Sequence, residues 1–581
     1  MEKQWILPKA PDPGIVATLA SGTGACLKAA ELLALRGLTD VEEAKRYLDP
    51  KMEHLFDPFL IPEMDKAVLR VREALSRKEE ILIHGDYDVD GTSGAALLVR
   101  VLKGLEARVS SYIPNRLQEG YGLSELGVKE AKARGAGLLI TVDCGVTAVK
   151  ETALAKTLGV EVIVVDHHQP GPERPDAVAV IDPHLQQGSG KGGSVAIPGL
   201  ELSGVGLAFK FLQALFLRLG RPVEELAEHL DLVAVGTVAD VVPLVGENRI
   251  IVRLGLEVLR ETRKPGLAAL LEVAGFRGPE GPRAGKPLGY WQVAYGIAPR
   301  INAVGRMGDA GRAVDLMLTE DEGEARAIAQ VLQDENLRRR ELDSGVYEEA
   351  RELAKRDFDP VRDRVLVLAR EGWHPGVIGI VASKLAEAFY RPTVMIALDG
   401  EEGRGSARSI PAFHLYEALL GCGDLLLGFG GHEFAAGLSI EKGKIGAFRE
   451  RMNAIGREVL KEEDLVPKLS LDAWLELSEV TPDLLRDLRR MAPFGPGNRE
   501  PLFLASELQV VGEPRIVGAN HLKFKVRQDR TVLGGIAFDA GERFGALATG
   551  QAGLSVACVL EEDEWQGKKE TRLRVKDFKT R

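Results

Sequence analysis

The first part of the chain carries apolar residues at helical spacing. Ala25–Leu35 and Val41–Leu48 show this period, and Asp40 stands directly before the second of them, where an acidic side chain favours a helix N-cap. We therefore predict short helices over residues 1–75, which together form an N-terminal helical cap.

From Glu79 the pattern changes to short continuous apolar runs, each followed by a Gly- or Asp-rich turn and then by helical spacing. The runs are Ile81–Ile83, Leu138–Val142 and Val162–Val165. Runs of Val, Ile and Leu that alternate with helices are typical of a parallel sheet covered on both faces. Residues 76–308 are therefore predicted to form an α/β domain on a parallel sheet.

The second half of the chain indicates a connector and two further domains. Residues 309–357 are charged and have helical spacing, which predicts a long connecting helix. Strand-like runs within 358–461 predict a second α/β domain, and short strand-like segments within 462–581 predict a small β-barrel. The predicted fold class is therefore α/β and multidomain, with a C-terminal barrel.

The last predicted strand of the barrel places three cations on one face. Arg572, Arg574 and Lys576 alternate there with Leu573 and Val575. Such a face suits a phosphate backbone, and it equally suits the charged outer surface of an ordinary barrel. The pattern leaves both interpretations open.

Composition limits the class of protein more than its function. The 581 residues exceed the size of one hydrophobic core, and the four cysteines form no CxxC pair. The formal net charge of −11 argues against a protein that coats nucleic acid indiscriminately, but a nuclease site needs only local positive charge. No apolar run approaches the roughly 20 residues that cross a bilayer, and Met1–Trp5 lacks the layout of a signal peptide. We therefore predict a cytoplasmic protein with no membrane partner.

The strongest chemical signal directly follows the run Ile81–Ile83. His84, Asp86, Asp88 and Asp90 stand at the predicted carboxyl end of a parallel strand, where open α/β sheets place their sites. Carboxylates packed this closely take up protons unless cations balance their charge. The motif therefore predicts a metal site.

Three further positions carry the same chemistry. Asp143 follows the second apolar run, Asp166-His167-His168 follows the third, and Asp240 ends a buried apolar segment. A single acid at such a position is often a helix cap, and a lone histidine is more often structural than a ligand. Several strand ends that converge at one edge favour ligands instead.

Mixed Asp and His ligands suit manganese or magnesium better than zinc, which prefers tetrahedra rich in sulfur and imidazole. The candidate set is large enough for two cations, which two-metal hydrolases hold about 3.5–4 Å apart. The reaction implied is hydrolysis of a phosphoester or phosphoanhydride. Structural calcium is the weaker alternative, because histidines are poor ligands for that cation.

The motifs resemble, in order and spacing, those of the DHH phosphoesterase superfamily. The matching segments are His84–Asp90, Thr141–Gly145, Asp166–His168 and Val238–Asp240. By position, the resemblance implies one manganese ion held by His84, Asp88 and Asp143. It implies a second held by Asp90, Asp143, His167 and Asp240, so that Asp143 bridges the two.

The same resemblance implies roles for three residues in catalysis. His168 is implied to face the scissile phosphate as a charge stabiliser or an acid, and Asp143 is implied as the bridging ligand. Asp166, like Asp86, is implied to orient its neighbours.

Other segments are similar to the RecJ exonucleases within that superfamily. Ile113–Arg116, Glu119–Gly122 and Pro299–Arg306 resemble segments that contact DNA. Three segments resemble a DHH-associated domain, namely Gly372–Gly379, Gly403–Ser409 and Gly430–His432. The segment Pro493–Asn498 resembles the one that leads into an OB domain. The substrate-binding residues so implied are Arg116, Tyr121, Asn302, Arg306, Ser406, Arg408 and His432.

Elementary chemistry agrees with several of these assignments. Arg116, Arg306 and Arg408 suit a pocket for a terminal phosphate, because a guanidinium matches phosphate oxygens bidentately. Tyr121 suits stacking on a base, and packing beneath its own loop fits equally. His432 suits a phosphate contact or a structural hydrogen bond.

The resemblance implies a monomeric 5′ to 3′ exonuclease that hydrolyses single-stranded DNA to mononucleotides in DNA repair and recombination. Its cofactors are two divalent cations, manganese or magnesium, and its implied partners are a helicase and a single-strand-binding protein. One rival is a DHH enzyme for short oligonucleotides or cyclic dinucleotides, which would not need residues 462–581. A second rival is a DNA-binding scaffold without activity, which should have lost ligands that this sequence retains.

Overall fold

The computed structural model describes residues 3–115, 119–186, 199–278, 281–282, 288–307, 310–547, 552–565 and 568–580. The chain divides into two units. The larger unit comprises Leu7–Gln333 and Leu471–Arg581, and the smaller unit comprises Met1–Ile6 and Asp334–Ser470.

The elements are numbered in chain order. The α-helices are α1 (Pro13–Thr23), α2 (Leu27–Leu35), α3 (Val41–Leu48), α4 (Met64–Arg77), α5 (Val89–Gly104), α6 (Glu125–Ala133), α7 (Val149–Thr157), α8 (Gly204–Leu219), α9 (Leu230–Ala239), α10 (Gly246–Arg260), α11 (Pro265–Val273), α12 (Tyr290–Gln292), α13 (Ala298–Met307), α14 (Gly311–Leu318), α15 (Glu322–Asp357), α16 (Ile378–Phe389), α17 (Leu415–Leu420), α18 (Ile445–Val459) and α19 (Pro482–Met491). The strands are β1 (Gln4–Ile6), β2 (Glu80–Gly85), β3 (Arg108–Tyr112), β4 (Ala136–Val142), β5 (Glu161–Val165), β6 (Ala179–Ile181), β7 (Arg277–Gly278), β8 (Gly281–Pro282), β9 (Leu366–Glu371), β10 (Thr393–Asp399), β11 (Glu402–Arg408), β12 (Leu426–Gly431), β13 (Ala435–Glu441), β14 (Lys468–Ser470), β15 (Ala473–Trp474), β16 (Phe503–Val517), β17 (His521–Gln528), β18 (Thr531–Ala537), β19 (Leu554–Trp565) and β20 (Lys568–Thr580).

The larger unit contains the predicted parallel sheet. Its strand order is β3-β2-β4-β5-β6, and every neighbouring pair is parallel. Ile81 and Ile83 belong to one hydrophobic core, while Leu82 between them belongs to another on the opposite face. Apolar residues on both faces explain why the strands read as continuous apolar runs.

The predicted N-terminal cap is divided between two cores. Leu32 and Leu33 of α2 pack into the core of the C-terminal barrel, whereas Val68 and Val71 of α4 pack into the core of the parallel sheet. Asp40 caps α3 as predicted, since its Oδ1 accepts a hydrogen bond from the backbone N–H of Glu43 at 2.8 Å. The helical spacing thus predicts helices here, but it does not show which surface each helix covers.

The C-terminal part of the larger unit is a barrel. Its strand order is β15-β16-β17-β18-β20-β19, and β16 also pairs with β19, which closes the sheet. On β20, Arg572 forms an ion pair with Glu561 at 2.9 Å, and Arg574 pairs with Glu500. Acidic partners therefore neutralise two of the three cations that the sequence places on the last strand.

The smaller unit holds a mixed sheet with the order β12-β13-β11-β10-β9, in which β9 and β10 are parallel and the other pairs are antiparallel. The predicted connector at 309–357 consists of two helices, α14 and α15, and the boundary between the units falls within α15.

Cys144, Cys422 and Cys558 are buried and Cys26 is half-buried. Among the described helices, none combines the length and the apolar character that crossing a bilayer requires.

Candidate metal centre

The acidic motifs lie around the carboxyl edge of the parallel sheet. β2 leads into Asp86 and Asp88, and β4 and β5 lead directly into Asp143 and Asp166. Asp240 stands at the C-terminus of α9, which packs against α5. Because the carboxyl ends of neighbouring parallel strands meet at one edge, residues that are distant in the sequence come together here.

Among the described residues, three groups of side chains place their ligand atoms within 4.8 Å of one another. The groups are Asp86, Asp88 and Asp143; Asp90, His167 and Asp240; and Asp143, His167 and His168. Nε2 of His167 lies 3.1 Å from Oδ1 of Asp143 and 3.6 Å from Oδ2 of Asp240. Because Asp143 and His167 each belong to two groups, the cluster is continuous and suits more than one cation.

Hydrogen bonds to helix N-termini hold two of the carboxylates in place. Oδ1 of Asp88 accepts from the backbone N–H of Asp90 at 2.8 Å and of Gly91 at 3.1 Å, at the start of α5. Asp90 accepts from the backbone N–H of Gly204 at 2.6 Å and of Val205 at 3.0 Å, at the start of α8. The partial positive charge of a helix N-terminus stabilises such an anion. The bonds of Asp90 therefore join the N-terminus of α5 to the N-terminus of α8.

Asp143 lies on unusual backbone directly against α8. Its φ is 63°, in the left-handed region that few residues other than glycine adopt, and the residue is buried. A Cβ added at Gly204 would lie 2.6 Å from Cβ of Asp143 and 3.0 Å from its Oδ1. Glycine at position 204 therefore lets α8 approach this carboxylate.

Asp166 organises the histidine pair. Its Oδ1 accepts from the backbone N–H of His167 at 2.8 Å and from Nδ1 of His168 at 2.8 Å, while its Oδ2 accepts from the backbone N–H of Val146 at 2.9 Å. Burial opposes ionisation of both groups, but their mutual hydrogen bond lowers the pKa of Asp166 and raises the pKa of His168 to about 9. Asp166 and His168 therefore form an ion pair at neutral pH.

The remaining acids crowd one another, and the crowding indicates what the site holds. Burial, together with the charge of Asp88, raises the pKa of Asp86 and of Asp240 to about 7. Burial and neighbouring acids raise the pKa of Asp90 and of Asp143 well above the usual range. Oδ1 of Asp86 and Oδ2 of Asp240 are buried with no hydrogen-bond partner among the described residues. Divalent cations fit this set of oxygen and imidazole donors, since they supply both the missing charge and the missing contacts.

The crowding predicts how the stability of the protein depends on pH and metal. A carboxyl group whose pKa rises on folding stabilises the fold below its unfolded pKa, and this contribution is lost as the pH rises through the folded pKa. With the pKa of Asp86 and Asp240 at about 7, the melting temperature of the metal-free protein should fall between pH 6.5 and 8.5. Bound Mn²⁺ should offset this fall, because the ligands bind metal in their ionised forms.

Differential scanning fluorimetry in chelator and in Mn²⁺ measures both curves. We expect the stabilisation by Mn²⁺ to be larger at pH 8.5 than at pH 6.5. A stabilisation by Mn²⁺ that is constant across this range would contradict the assignment of these carboxylates to a metal site.

His84 lies beside the cluster but belongs to none of the three groups. Its Nδ1 is 3.7 Å from Sγ of Cys144, and its buried Nε2 lies where a Cβ on Gly127 would approach to 2.7 Å. Burial lowers the pKa of His84 to about 4, so the ring is neutral. A neutral imidazole retains a nitrogen lone pair for a metal, and the role of His84 as a ligand stays a prediction.

Three of the predicted substrate-binding residues lie in described parts of the larger unit. The ring of Tyr121 is exposed, and its hydroxyl lies 3.0 Å from Nδ1 of His168. Asn302 and Arg306 lie on α13, whose Gly305 approaches the segment between β2 and α5 so closely that a Cβ there would be 2.8 Å from the carbonyl oxygen of Tyr87. The helix that carries Asn302 and Arg306 thus borders the metal centre. Arg116 falls outside the described residues.

Ser406, Arg408 and His432 belong to the smaller unit. Nη1 of Arg408 donates to Oγ of Ser406 at 3.3 Å and to the carbonyl oxygen of Ala407 at 2.8 Å. Both side chains lie against the first turn of α16, since a Cβ on Gly379 would be 2.9 Å from Oγ of Ser406 and 3.3 Å from Nη2 of Arg408. Burial lowers the pKa of Arg408, and no described carboxylate pairs with it. His432 is exposed at the end of β12.

Two further polar residues at this edge of the sheet lie outside the sequence motifs. Asp182 and His184 follow β6, the edge strand, and lie on the same edge of the sheet as the metal centre. The backbone N–H of His184 donates to Oδ1 of Asp182 at 2.8 Å, and Oδ2 of Asp182 is buried with no hydrogen-bond partner among the described residues. The signal in the sequence is the short apolar run Ala179–Ile181 ending in an acid, which is easily overlooked because the strand has only 3 residues.

Three family models match the chain. The model described as "DHH family, N-terminal domain" matches residues 80–237, the model described as "DHHA1 domain" matches 362–458, and the model described as "RecJ OB domain" matches 471–577. Together with the parallel sheet and the barrel, these matches confirm the predicted fold class.

Similar proteins cover nearly the whole chain. The single-stranded-DNA-specific exonuclease RecJ of Bacillus subtilis (strain 168) is 38% identical over 578 residues, which are 99% of this chain and 70% of that protein. The protein of the same name from Thermus thermophilus is 37% identical over 530 residues, which are 90% of this chain and 71% of that protein. The crystal structure of RecJ in complex with Mn²⁺ from Thermus thermophilus superposes with a TM-score of 0.83 at 34% identity, covering 100% of this chain and 80% of that chain. A structure of the same protein with Mg²⁺ gives 0.77 at 31% identity, covering 100% and 78%.

Proposed function

Because the chain belongs to the RecJ family of single-stranded-DNA-specific exonucleases, we propose that it hydrolyses single-stranded DNA from the 5′ end to mononucleotides. Its cofactors are two divalent cations, manganese or magnesium, the ions present in the similar solved structures. The observation that carries the proposal is the cluster of buried carboxylates and histidines at the carboxyl edge of the parallel sheet.

The residues of the three groups would hold the cations. Bound cations of this kind supply a hydroxide nucleophile at neutral pH and stabilise the leaving oxygen. Hydrogen bonds from helix N-termini hold the carboxylates of Asp88 and Asp90 in place, and Asp143 belongs to two of the three groups. The site is therefore organised before a substrate arrives, which lowers the cost of reorganisation in the reaction.

We propose that His168 acts on the phosphate itself. Despite burial, the hydrogen bond that Nδ1 of His168 donates to Asp166 raises the pKa of His168 to about 9, so the ring is protonated at neutral pH. Its side chain is 42% exposed, compared with 14% for His167, which faces the acids. With Nδ1 held by Asp166, Nε2 of His168 can donate to a phosphate oxygen or protonate the leaving group.

Two polar side chains in the smaller unit support the proposal that the enzyme recognises a phosphorylated end. Arg408 is a half-buried cation that pairs with no described carboxylate, and it lies with Ser406 against the first turn of α16. A guanidinium, a hydroxyl and the N-terminus of a helix together match a phosphate group. We propose that Arg408 and Ser406 bind the terminal 5′-phosphate.

This assignment predicts the effect of Arg408→Ala. The specificity constant kcat/KM for a 5′-phosphorylated strand should fall about 10- to 100-fold, the size of a lost hydrogen bond to a charged group. The rate on a 5′-hydroxyl strand should change little. Comparing both substrates in the parent, in Arg408→Ala and in Arg451→Ala, a control at an exposed arginine of α18, measures the effect. Equal losses on both substrates would contradict the phosphate role.

The barrel offers a surface for the rest of the strand. Lys523, Lys525 and Arg527 alternate along β17 on its exposed side, and no described carboxylate forms an ion pair with Lys523 or Lys525. This face, and not the paired arginines of β20, is the better candidate to follow a phosphate backbone. It also favours the exonuclease over an enzyme for short oligonucleotides.

The experiment that tests the function uses single strands labelled at either end, with a blunt duplex and a cyclic dinucleotide alongside, in Mn²⁺. Immediate release of labelled mononucleotides from the 5′ label, on single strands only, is the expected result. Cleavage of only the cyclic dinucleotide would favour the small-substrate enzyme, and binding without cleavage would favour the scaffold. The monomeric state, the cytoplasmic location, the role in repair and recombination, and the helicase and single-strand-binding protein as partners stay predictions.

A further inference from the structure

Two aromatic rings stack on each other at the surface of the larger unit. Trp291 and Tyr295 have ring centroids 5.5 Å apart and an interplanar angle of 16°, and they are 48% and 74% exposed. Tyr290 supports the pair from below, because its own ring is buried and meets Trp291 edge-on at 5.2 Å. Large aromatic side chains are usually buried, so an exposed stacked pair indicates a binding surface.

The backbone holds this pair outward. Val293–Ile297 forms a π-helical turn between α12 and α13, a distortion that is frequent at functional sites. On the inner side of this turn, a Cβ at Gly296 would lie 2.5 Å from the ring of Phe276, so the glycine lets the turn press against that ring. Arg300 donates to the carbonyl oxygen of Gly296. The inner side of the turn is therefore fixed, and the two rings face solvent.

The same helical segment connects the rings to the metal centre. The π-helical turn packs against α9, the helix that ends at Asp240, and α13 continues from it towards Gly305 beside Tyr87. At about 1.5 Å per residue, Tyr295 stands about 10 Å along the helix from Asn302. The rings thus lie on the continuous helical segment that also carries the predicted substrate residues Asn302 and Arg306.

We propose that Trp291 and Tyr295 form a stacking platform for a nucleobase of the bound single strand, on the 3′ side of the scissile bond. Every base has a flat face that stacks on an aromatic ring, so the platform binds without reading sequence. The inference rests on the proposed function: an enzyme that removes the 5′-terminal nucleotide has all other bases on the 3′ side. Such a platform holds the strand between successive cleavages.

The test compares 5′-phosphorylated strands of graded length on the parent protein and on the double variant Trp291→Ala/Tyr295→Ala. We expect equal kcat and KM on the shortest strands, which do not reach the platform. On long strands KM of the variant should rise about tenfold, equivalent to about 1.4 kcal/mol, while kcat changes little. In the parent, a long strand with one abasic nucleotide at the position that meets the platform should raise KM by the same factor as the double substitution does. In the alanine variant, the abasic nucleotide should not change KM.

The matched control is Trp291→Phe/Tyr295→Phe, which retains both rings and should keep the length dependence of the parent. Parent protein that degrades single strands, combined with unchanged KM of the alanine variant at every length, would overturn the platform while leaving the proposed function intact. Equal losses on short and long strands would overturn it as well, because they would show a general structural defect. A parent protein that leaves single strands intact would instead overturn the proposed function.

Discussion

Replacing Asp143 with asparagine is expected to lower the turnover of single-stranded DNA by at least about 1000-fold. Asp143 belongs to two of the three groups of candidate ligands, and its Oδ1 lies 3.1 Å from Nε2 of His167. A neutral amide is a poorer ligand for a divalent cation than a carboxylate, so every cation that touches position 143 loses affinity. One substitution should therefore disable the whole cluster.

Asparagine is the informative replacement because of the backbone at this position. The φ of Asp143 is 63°, a conformation that asparagine tolerates and alanine adopts only with strain. The variant should also melt at a higher temperature than the parent at pH 8 in chelator. Burial and neighbouring acids raise the pKa of Asp143, so the fold disfavours its charged form, and the amide removes that cost.

Rates in Mn²⁺ and melting curves in chelator, recorded on parent and variant, check both effects. An inactive variant with increased metal-free stability supports the metal assignment and shows that the fold is intact. Turnover by the variant within about tenfold of the parent would contradict the assignment of Asp143 as a metal ligand.

The second large effect is expected at a residue that has no side chain. Alanine is ordinarily at least as favourable as glycine in a helix, so Gly204→Ala at the first residue of α8 would not be expected to harm the helix itself. Here the new Cβ would lie 2.6 Å from Cβ of Asp143, and the N–H of residue 204 also binds Asp90. Displacing a reacting group by about 1 Å costs on the order of 100-fold in rate, so we expect a loss of this size.

Gly104→Ala is the matched control, because Gly104 is the last residue of α5 and a Cβ there would meet nothing within 4 Å. Its turnover should equal that of the parent. Binding of Mn²⁺ should weaken in Gly204→Ala and not in Gly104→Ala, as titration calorimetry would measure. If both alanine variants kept full activity, the close approach of α8 to Asp143 would have no functional importance.

Much of the larger unit follows from local pattern. The runs Ile81–Ile83 and Leu138–Val142 are strands because their residues face a core on both sides, and such strands read as continuous apolar segments. The acids that follow them meet because parallel strands end at a common edge. Local pattern also predicts α3 correctly, with Asp40 as its cap.

Other features depend on contacts between distant segments. The helical period of Ala25–Leu35 predicts a helix but not its packing against the barrel, because the period shows that one face is buried and not what buries it. The alternation of Arg572 and Arg574 predicts a shared face but not Glu561 and Glu500, which neutralise it. The sequence also does not predict that Trp291 and Tyr295 are exposed, since aromatic residues at this spacing usually belong to a hydrophobic core.

The sequence by itself determined the chemistry of this protein. Asp86, Asp143 and Asp166 stand directly after apolar strands, and that local order is sufficient to predict that they share one edge of a sheet, whereas Asp240 ends helix α9. Only the tertiary structure decided how the cluster is held, through the approach of Gly204 to Asp143, the support of Asp90 by α8 and the position of α13 beside Tyr87. The physical reason is range: periodicity and capping act over a few residues, whereas close packing joins segments that are far apart in the sequence.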